Sequence, residues 1–367
     1  MGEKLDVGGQ AIIEGVMMRG PSSMVIAVRR LDGEIVVKDS AWKPLTTRLK
    51  FLKWPLLRGA TVMVEALMNG MQALSFSANV AMEDEEREKA RSEAEEAGVA
   101  QLEEHRAAEE DVEPGSSSVL TKGAIALSLT ISMFAGAALF IYLPHGAATF
   151  FCSLFLEVPA ALSPVPTFED WVVEHPLFHV IAGAVKMTVF ISYIVLIRRM
   201  NDIRRVFQYH GAEHKSIHVY EAEEELTLEN ARKYPTFHPR CGTSFLVFVI
   251  LISVFFFAGV FPLINGFLPP VEGWRLILVQ ASIKLPMMIP IAGLSYEFIK
   301  WAGKKKGSRF MSFMSIPGRL VQKLTTIEPD DDQLEVALVS LKRALEHEGA
   351  LSAPSYSGVR FLEAEAS

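Results

Sequence analysis

The sequence predicts an α-helical polytopic membrane protein of about four transmembrane helices, with a small cytoplasmic α+β element at its N-terminus and an amphipathic helix near its C-terminus. Long apolar blocks alternate with strongly polar segments, which predicts the spans. Clustered positive charge predicts their orientation. Leucines at helical spacing after residue 330 predict the C-terminal helix.

The composition fits this class. Half of the 367 residues are hydrophobic, and the net charge of -7 gives no sign of nucleic-acid binding. The two cysteines, Cys152 and Cys241, provide no disulfide framework. Because the predicted topology puts them on opposite sides of a bilayer, we expect them not to pair.

Residues 1–53 form the predicted α+β element. Glycines recur between residues 7 and 21, which favours tight turns or close backbone contacts. Residues 24–30 and 34–39 are rich in β-forming side chains, and Asp32-Gly33 between them predicts a hairpin with a type I′ turn.

Two segments separate this element from the membrane domain. Residues 54–80 are apolar but contain Arg58, Glu65 and Asn69, a pattern that favours an amphipathic helix lying on the membrane; a re-entrant or spanning segment is the alternative. Residues 81–118 are rich in glutamate and alanine and end in Pro-Gly-Ser-Ser-Ser, which predicts a solvated helix and a flexible linker.

Residues 119–300 form the predicted membrane domain. A helix needs roughly 20 apolar residues to cross the hydrocarbon core. Four blocks meet this length: residues 120–143, 175–197, 243–264 and 274–298. Residues 150–162 are apolar but too short to cross, so we expect them to lie at the interface.

Positive charge orients the predicted spans. Arg198 and Arg199 follow the second span, and Lys304, Lys305 and Lys306 follow the fourth. Because such residues concentrate on the cytoplasmic side, we expect both termini and the loop of residues 198–242 to be cytoplasmic.

The cytoplasmic segment of residues 301–349 contains the predicted amphipathic helix. Aspartates precede it, Gly349 follows it, and one stripe carries Leu334, Leu338, Leu341 and Leu345. Residues 350–367 are predicted to be a disordered tail.

The loop of residues 198–242 contains the chemistry-bearing cluster. His210 and His214 stand at i and i+4, so on a helix both imidazoles reach one metal ion. Glu213 stands where a metallohydrolase of the His-x-x-Glu-His order has its general base. The structural alternative is a juxtamembrane helix with solvated histidines.

A third metal ligand has local and remote candidates. His238 and Cys241 lie in the same loop, where the alternative is a rigid turn before the next helix. Glu297 lies 83 residues after His214 at the predicted cytoplasmic end of the fourth span, where the alternative is a pair with Lys300.

Two lysines fall near the middle of predicted spans. Ionisable groups at that depth face a protein interior or cavity, so Lys186 and Lys284 form a candidate site for a carboxylate, a lipid phosphate or an anionic substrate. The alternative is one lysine reaching towards the interface and one paired with Glu14 or Glu65.

Several separated segments together resemble the YqhQ-like family of bacterial multi-pass membrane proteins. They are residues 8–20, 209–215, 238–244, 295–297 and 325–330, in order along nearly the whole chain. The family is a domain of unknown function that is described as predicted metal-dependent enzymes. The resemblance implies location in a bacterial inner membrane and a metal site at these residues, but no substrate.

Three functions are compatible with the sequence. The first is a cytoplasm-facing metal-dependent hydrolase, with zinc or a similar ion, that acts on a lipid-linked substrate or a membrane protein. The second is a non-enzymatic scaffold or assembly factor that uses the C-terminal helix to bind a partner. The third is a transporter that uses Lys186 and Lys284, although four spans are few for that class.

Overall fold

The computed structural model describes residues 5–96, 119–155, 175–239, 241–260, 263–264, 274–304, 316–352 and 356–362. The strands are β1 (Gly8–Ile12), β2 (Gly15–Arg19), β3 (Ser23–Arg29), β4 (Ile35–Ala41) and β5 (Val359–Leu362). The helices are α1 (Leu45–Arg48), α2 (Leu57–Glu96), α3 (Val119–Ala137), α4 (Leu143–Phe155), α5 (Pro176–Ile197), α6 (Asn201–Glu221), α7 (Leu228–Lys233), α8 (Gly242–Gly259), α9 (Trp274–Lys304), α10 (Ile316–Thr325) and α11 (Asp331–His347).

The strands form one sheet in the order β1-β2-β3-β4-β5. The first four pair antiparallel, which confirms the small N-terminal sheet and the hairpin of β3 and β4. Strand β5 pairs parallel to β4, with Val359 opposite Ile35, so residues 359–362 correct the prediction of a disordered tail over residues 350–367. A parallel partner far away in sequence leaves no local turn signal.

The turn of the hairpin differs from the predicted type I′ turn. The N–H of Arg30 donates to the carbonyl of Glu34 at 2.9 Å, and the N–H of Gly33 donates to the carbonyl of Arg30 at 3.1 Å. Gly33 has φ +93°, whereas Asp32 is not among the residues with positive φ. The loop therefore has three residues and ends in a glycine of positive φ, which is the next most common hairpin connection.

Helix α11 closes one face of the sheet. A capping box at Asp330 and Gln333 starts it, and its contacts are with β2, β3 and α6. The predicted stripe is buried, which confirms the amphipathic helix; its members are Leu334, Leu338, Leu341 and Leu345. They share one core with the sheet and with Tyr209, Ala212 and Ile217 of α6, so α11 and the sheet enclose the helix that carries the histidines.

Three helical segments of the described chain are long and apolar enough to cross a membrane: Thr130–Phe155, Pro176–Ile197 and Gly242–Gly259. The last two agree with predicted spans. The first is shifted from residues 120–143, because the helix continues through a π-helical turn, Ala138–Tyr142, to Phe155. Part of the predicted interfacial segment, residues 150–155, is thus in this helix, whereas residues 156–162 lie outside the described chain.

The fourth predicted span lies in α9, a helix of 31 residues that contains Pro286 and Pro290. Helix α9 is not one of the three candidates, so a count of four stays a prediction. It packs against both α2 and α8. The three apolar helices indicate that the protein is associated with a membrane.

Helix α2 corrects the predicted boundary at residue 80. It is one helix of 40 residues, so residues 81–96, part of the segment predicted as a solvated helix and linker, are helical and continuous with it; residues 97–118 lie outside the described chain. Glutamate and alanine favour the helix and support this continuation. The polar residues of α2 face the protein and its apolar residues face outwards. Glu65 and Asn69 are buried, whereas Leu67 and Met71 are 65% and 57% exposed.

An ion pair joins the sheet to α2 and yields a stability prediction. Arg30 Nη1 lies 2.7 Å from Asp84 Oδ1, and the two side chains are 6% and 8% exposed. Removing the arginine leaves a buried carboxylate without its cation, so we expect Arg30→Ala to lower the free energy of unfolding by about 3–5 kcal/mol. Chemical denaturation of the detergent-solubilised protein measures this loss.

The control for this measurement is Arg232→Ala. Arg232 pairs with Asp331, and both side chains are more than half exposed, so its removal should change the stability little. Equal, small effects of the two substitutions would contradict a buried ion pair between the sheet and α2.

Candidate metal centre

Helix α6 follows α5 after a short turn and carries four of the residues at the site. Its buried face passes close beneath the segment that connects α10 to α11. A Cβ at Gly211 would lie 2.1 Å from the carbonyl oxygen of Ile327, so only glycine permits this approach. Glycine has a low helix propensity. At position 211, however, it allows the backbone of residues 325–327 to pack against the face of α6 that carries the histidines.

His210, His214 and Cys241 form one group, in which one ligand atom from each residue lies within 4.8 Å of the others. Nδ1 of His210 lies 2.9 Å from the carbonyl oxygen of Thr325, and Nδ1 of His214 bonds the carbonyl of Thr236. Because a carbonyl only accepts, both Nδ1 atoms carry the proton. The Nε2 lone pairs of both rings are left for another partner.

The Nε2 atoms of the two histidines differ in surroundings. That of His210 lies 3.3 Å from Cys241 Sγ. That of His214 is buried and has no hydrogen-bond partner among the residues that the structure describes. Burying an unsatisfied nitrogen is costly, and such an atom beside an imidazole and a thiol is a sign of a ligand position.

Cys241 comes from the loop that leads into α8. It is the N-cap of that helix, and its sulfur accepts from the N–H of Thr243 at 3.4 Å. Cys152 is also buried, and both cysteines are free. The structure thus brings Cys241, one of the predicted third ligands, to the two histidines.

Glu213 lies beside this group, 5% exposed. Its Oε1 accepts from the N–H of Gly9 at 3.1 Å, and its Oε2 lies 3.5 Å from Nε2 of His214. Burial raises the pKa of this carboxyl group, while the neighbouring His210 opposes the rise. The backbone of β1 therefore holds the carboxyl group close to Nε2 of His214.

These residues surround a cavity of about 160 Å³. Val7, Gly8 and Gly9 line one side, and the opposite side is formed by α6 and the loop before α8, including Glu213, His238 and the group of His210, His214 and Cys241. The cavity has room for a small ligand group beside the three ligand atoms.

His238 belongs to a second group rather than to the first. It forms a group with His218 and Glu221, again with ligand atoms within 4.8 Å of one another. Burial lowers the pKa of His238 to about 4, although Glu221 opposes this shift. Glu221 is not among the residues that the sequence analysis singled out; its spacing of i+3 from His218 was the available signal.

Glu297 has another partner. Its carboxylate forms a two-point ion pair with the guanidinium of Arg58, which joins α9 to α2. Within the described chain, neither ligand group includes Glu297. Arg58 is thus a partner of Glu297 that the sequence analysis did not name.

The two lysines of the predicted anion site lie on α5 and α9. Lys186 and Lys284 are each partly buried, and they are near enough to act electrostatically on each other and on His179. Two positive charges close together would attract an anion. The anion site of Lys186 and Lys284 stays a prediction.

Sequence reasoning missed the groups that hold the ligands. Gly9, the carbonyls of Thr236 and Thr325, and the side chain of Gln322 all contact site residues. Gly9 and Thr325 lie in segments already noted for the family resemblance, and that was the available signal. Backbone carbonyls have no residue-specific signature, so only the fold reveals them.

The fold and the site together define a class: a membrane-associated protein in which apolar helices adjoin a small sheet-and-helix unit, with buried histidines, a cysteine and a glutamate between them. The chain belongs to the family described as "Protein of unknown function (DUF1385)", whose profile matches residues 54–347. It is similar to the "Uncharacterized protein YqhQ" of Bacillus subtilis (strain 168), with 30% identity over 349 residues that cover 92% of each chain. No solved structure matches.

Proposed function

We propose that this protein is a metal-dependent hydrolase that acts on a membrane-associated substrate. His210, His214 and Cys241 hold the metal ion, zinc or a similar divalent cation, and Glu213 is the general base. The observation that carries the proposal is the convergence of two fixed imidazoles and a thiol, with one buried nitrogen lacking a partner.

The donor set fits zinc. Imidazole nitrogen and thiolate are its preferred ligands, and two histidines with one cysteine leave a fourth position of the kind that catalytic zinc sites keep open. Metal-binding histidines usually donate their other ring N–H to a carbonyl or carboxylate. His210 and His214 both do so.

A metal ion held by His210, His214 and Cys241 would supply Lewis acidity and would lower the pKa of a bound water. The protein's own groups would support hydrolysis in two further ways. Glu213 takes and returns the proton at its Oε2, while the N–H of Gly9 holds Oε1 in place. Val7 and Ile217, which belong to the core shared by the sheet, α6 and α11, give the cavity an apolar wall.

The membrane-associated substrate is supported by where the site lies in the chain. Cys241 immediately precedes α8, an apolar helix, and α6 begins four residues after α5, another such helix. Arg198 and Arg199 lie at that junction. By the positive-inside tendency, the site and both termini face the cytoplasm of the bacterial inner membrane.

Helix α2 lies along the bilayer in this proposal. Its outer face is apolar, with Leu67, Met68 and Met71 at 57–65% exposure, and its packing against α9 puts it beside the apolar helices. The 3-10 turn Lys50–Lys53 supplies two lysines beside the exposed ring of Phe51. Basic and apolar groups together suit an anionic lipid surface.

The scaffold is less well supported than the enzyme. The leucine face that a partner would bind packs against the protein's own sheet, since Leu334, Leu338 and Leu341 are at most 4% exposed. A scaffold also gives no reason for an unpartnered imidazole nitrogen in a cavity.

Metal content is the first test. Because His210 and His214 supply two ligand atoms, the double variant His210→Ala/His214→Ala should lose the metal equivalent that the purified wild-type protein carries at this site. Elemental analysis measures this, with His347→Ala as the control, since that histidine pairs with Asp39 elsewhere. Equal metal in the double variant and the wild type would rule out the site.

Glu213→Gln separates the enzyme from the scaffold. The amide keeps an oxygen for the N–H of Gly9 but cannot take a proton, so the variant should fold and keep its metal yet fail to restore function in a deletion strain. We expect at least a hundredfold loss of activity, since general-base catalysis contributes roughly 10²–10⁴-fold. Full complementation by Glu213→Gln would favour the scaffold.

Fluorescence quenching by brominated lipids tests whether α2 lies on the bilayer. In a chain without native cysteines, a fluorophore on Leu67→Cys or Met71→Cys should be quenched by brominated lipids, because these side chains face the acyl chains. A fluorophore on Arg87→Cys, an exposed position further along the same helix, should not be quenched. If all three labels escape quenching, α2 does not lie on the bilayer.

A further inference from the structure

We propose that His218, Glu221 and His238 form a second metal site beside the first. Each residue offers one ligand atom, and the three atoms lie within 4.8 Å of one another. The ligand is a divalent cation such as zinc. The proposal goes beyond the proposed function, because it does not require that the first site hydrolyses anything.

Two chain segments build this group. His218 and Glu221 stand at i and i+3 in the last turn of α6, so their side chains share one face of the helix. His238 comes from the loop between α7 and α8 and lies over that face. Its ring centroid is 4.8 Å from that of His218.

The ring of His218 is fixed by its neighbours. Its Nε2 lies 2.7 Å from the carbonyl oxygen of Phe237, so Nε2 carries the proton and Nδ1 has the lone pair. The ring stacks on Tyr234 at 5.7 Å with an interplanar angle of 12°. The carbonyl bond is the same orienting contact that metal-binding histidines make.

The backbone of His238 is fixed by the side chain of Gln322. Its N–H donates to Oε1 of Gln322 at 3.0 Å, and its carbonyl accepts from Nε2 of Gln322 at 2.9 Å. The side chain of His238 is 5% exposed, and its Nε2 lies 3.1 Å from Oε1 of Glu221. Ligand atoms at zinc-like bond lengths in a tetrahedral site stand roughly 3.3 Å apart, so this spacing suits a shared cation.

The two groups differ in chemistry although they adjoin. The rings of His214 and His238 are 5.6 Å apart, yet the second group offers two imidazoles and a carboxylate and has no sulfur. Two histidines and a glutamate are a known zinc ligand set. A cobalt ion in the first site has a thiolate ligand and therefore a sulfur-to-cobalt charge-transfer band, whereas one in the second site has none.

Cobalt reconstitution tests the proposal. The full chain in detergent is stripped with a chelator, dialysed against cobalt(II), and analysed for bound metal and for the charge-transfer band. We expect two equivalents in the wild type. His218→Ala and Glu221→Gln should each reduce this to one equivalent and keep the band, whereas Cys241→Ser should keep one equivalent and lose the band.

The matched control is Glu224→Gln. Glu224 lies three residues after Glu221 and accepts from the hydroxyl of Tyr234 at 2.9 Å outside both groups, so this variant should keep two equivalents. Circular dichroism confirms that each variant is folded. Glu221→Gln has nearly the same shape as the native residue, so it remains informative if His218→Ala does not fold.

The outcomes separate the two sites. In one outcome, the wild type binds one equivalent of cobalt with the charge-transfer band, and His218→Ala and Glu221→Gln leave both unchanged. This result overturns the second site and leaves the first, and Glu221 and His238 are then an ion pair only. One equivalent without the band, lost in those two variants, supports the second site and overturns the first. No bound cobalt overturns both.

Discussion

Two backbone carbonyls determine what helix α6 can do. Those of Thr325 and Thr236 accept from Nδ1 of His210 and His214, and this leaves both Nε2 lone pairs towards the same cavity. An isolated helix with the same histidines would have rings free to rotate and to exchange tautomers. The last residue of α10 and the segment that follows α7 thereby convert two side chains at i and i+4 into a pair of oriented donors.

Further contacts join α6 to α7 and to the segment that follows α10. Lys215, 2% exposed, forms an ion pair with Glu328 and donates to the carbonyl of Arg232 at 3.3 Å. Gly211 allows the carbonyl of Ile327 to approach, and the N–H of Ile327 donates to the carbonyl of Phe207 at 3.0 Å. The positions of the carbonyls thus depend on the residues between and around the histidines.

Sequence reasoning found the parts of this arrangement that have a local signature. The histidine spacing, the leucines of α11 and the strands of the hairpin each repeat with the period of their element, and each appears where the period indicates. Glutamate at i+3 from His218 was also visible but was indistinguishable from the acidic surface residues that follow it.

The features that sequence analysis did not predict depend on contacts between residues far apart in the sequence. Strand β5 joins an edge that is formed more than 300 residues earlier, and four residues carry no periodic signal for such a partner. Glu297 was a reasonable ligand by separation and depth, but the guanidinium of Arg58, 239 residues away in sequence, matches its carboxylate in two-point geometry. Bidentate pairs of this kind are strong, so a competing metal would have to displace Arg58.

The candidate site is joined to the apolar helices through the continuous polypeptide chain. Cys241 is the N-cap of α8, and two hydrogen bonds of Gln322 on α10 reach from the backbone of His238 to the hydroxyl of Ser244 in the first turn of α8. An apolar helix settles at the depth that buries its hydrophobic length. If α8 crosses a bilayer as proposed, its depth also sets the height of Cys241 and His238 above the hydrocarbon core, because the cysteine and the loop of His238 continue directly from that helix. Under the proposed function, this coupling would let a group anchored in the bilayer meet the cavity at a constant height.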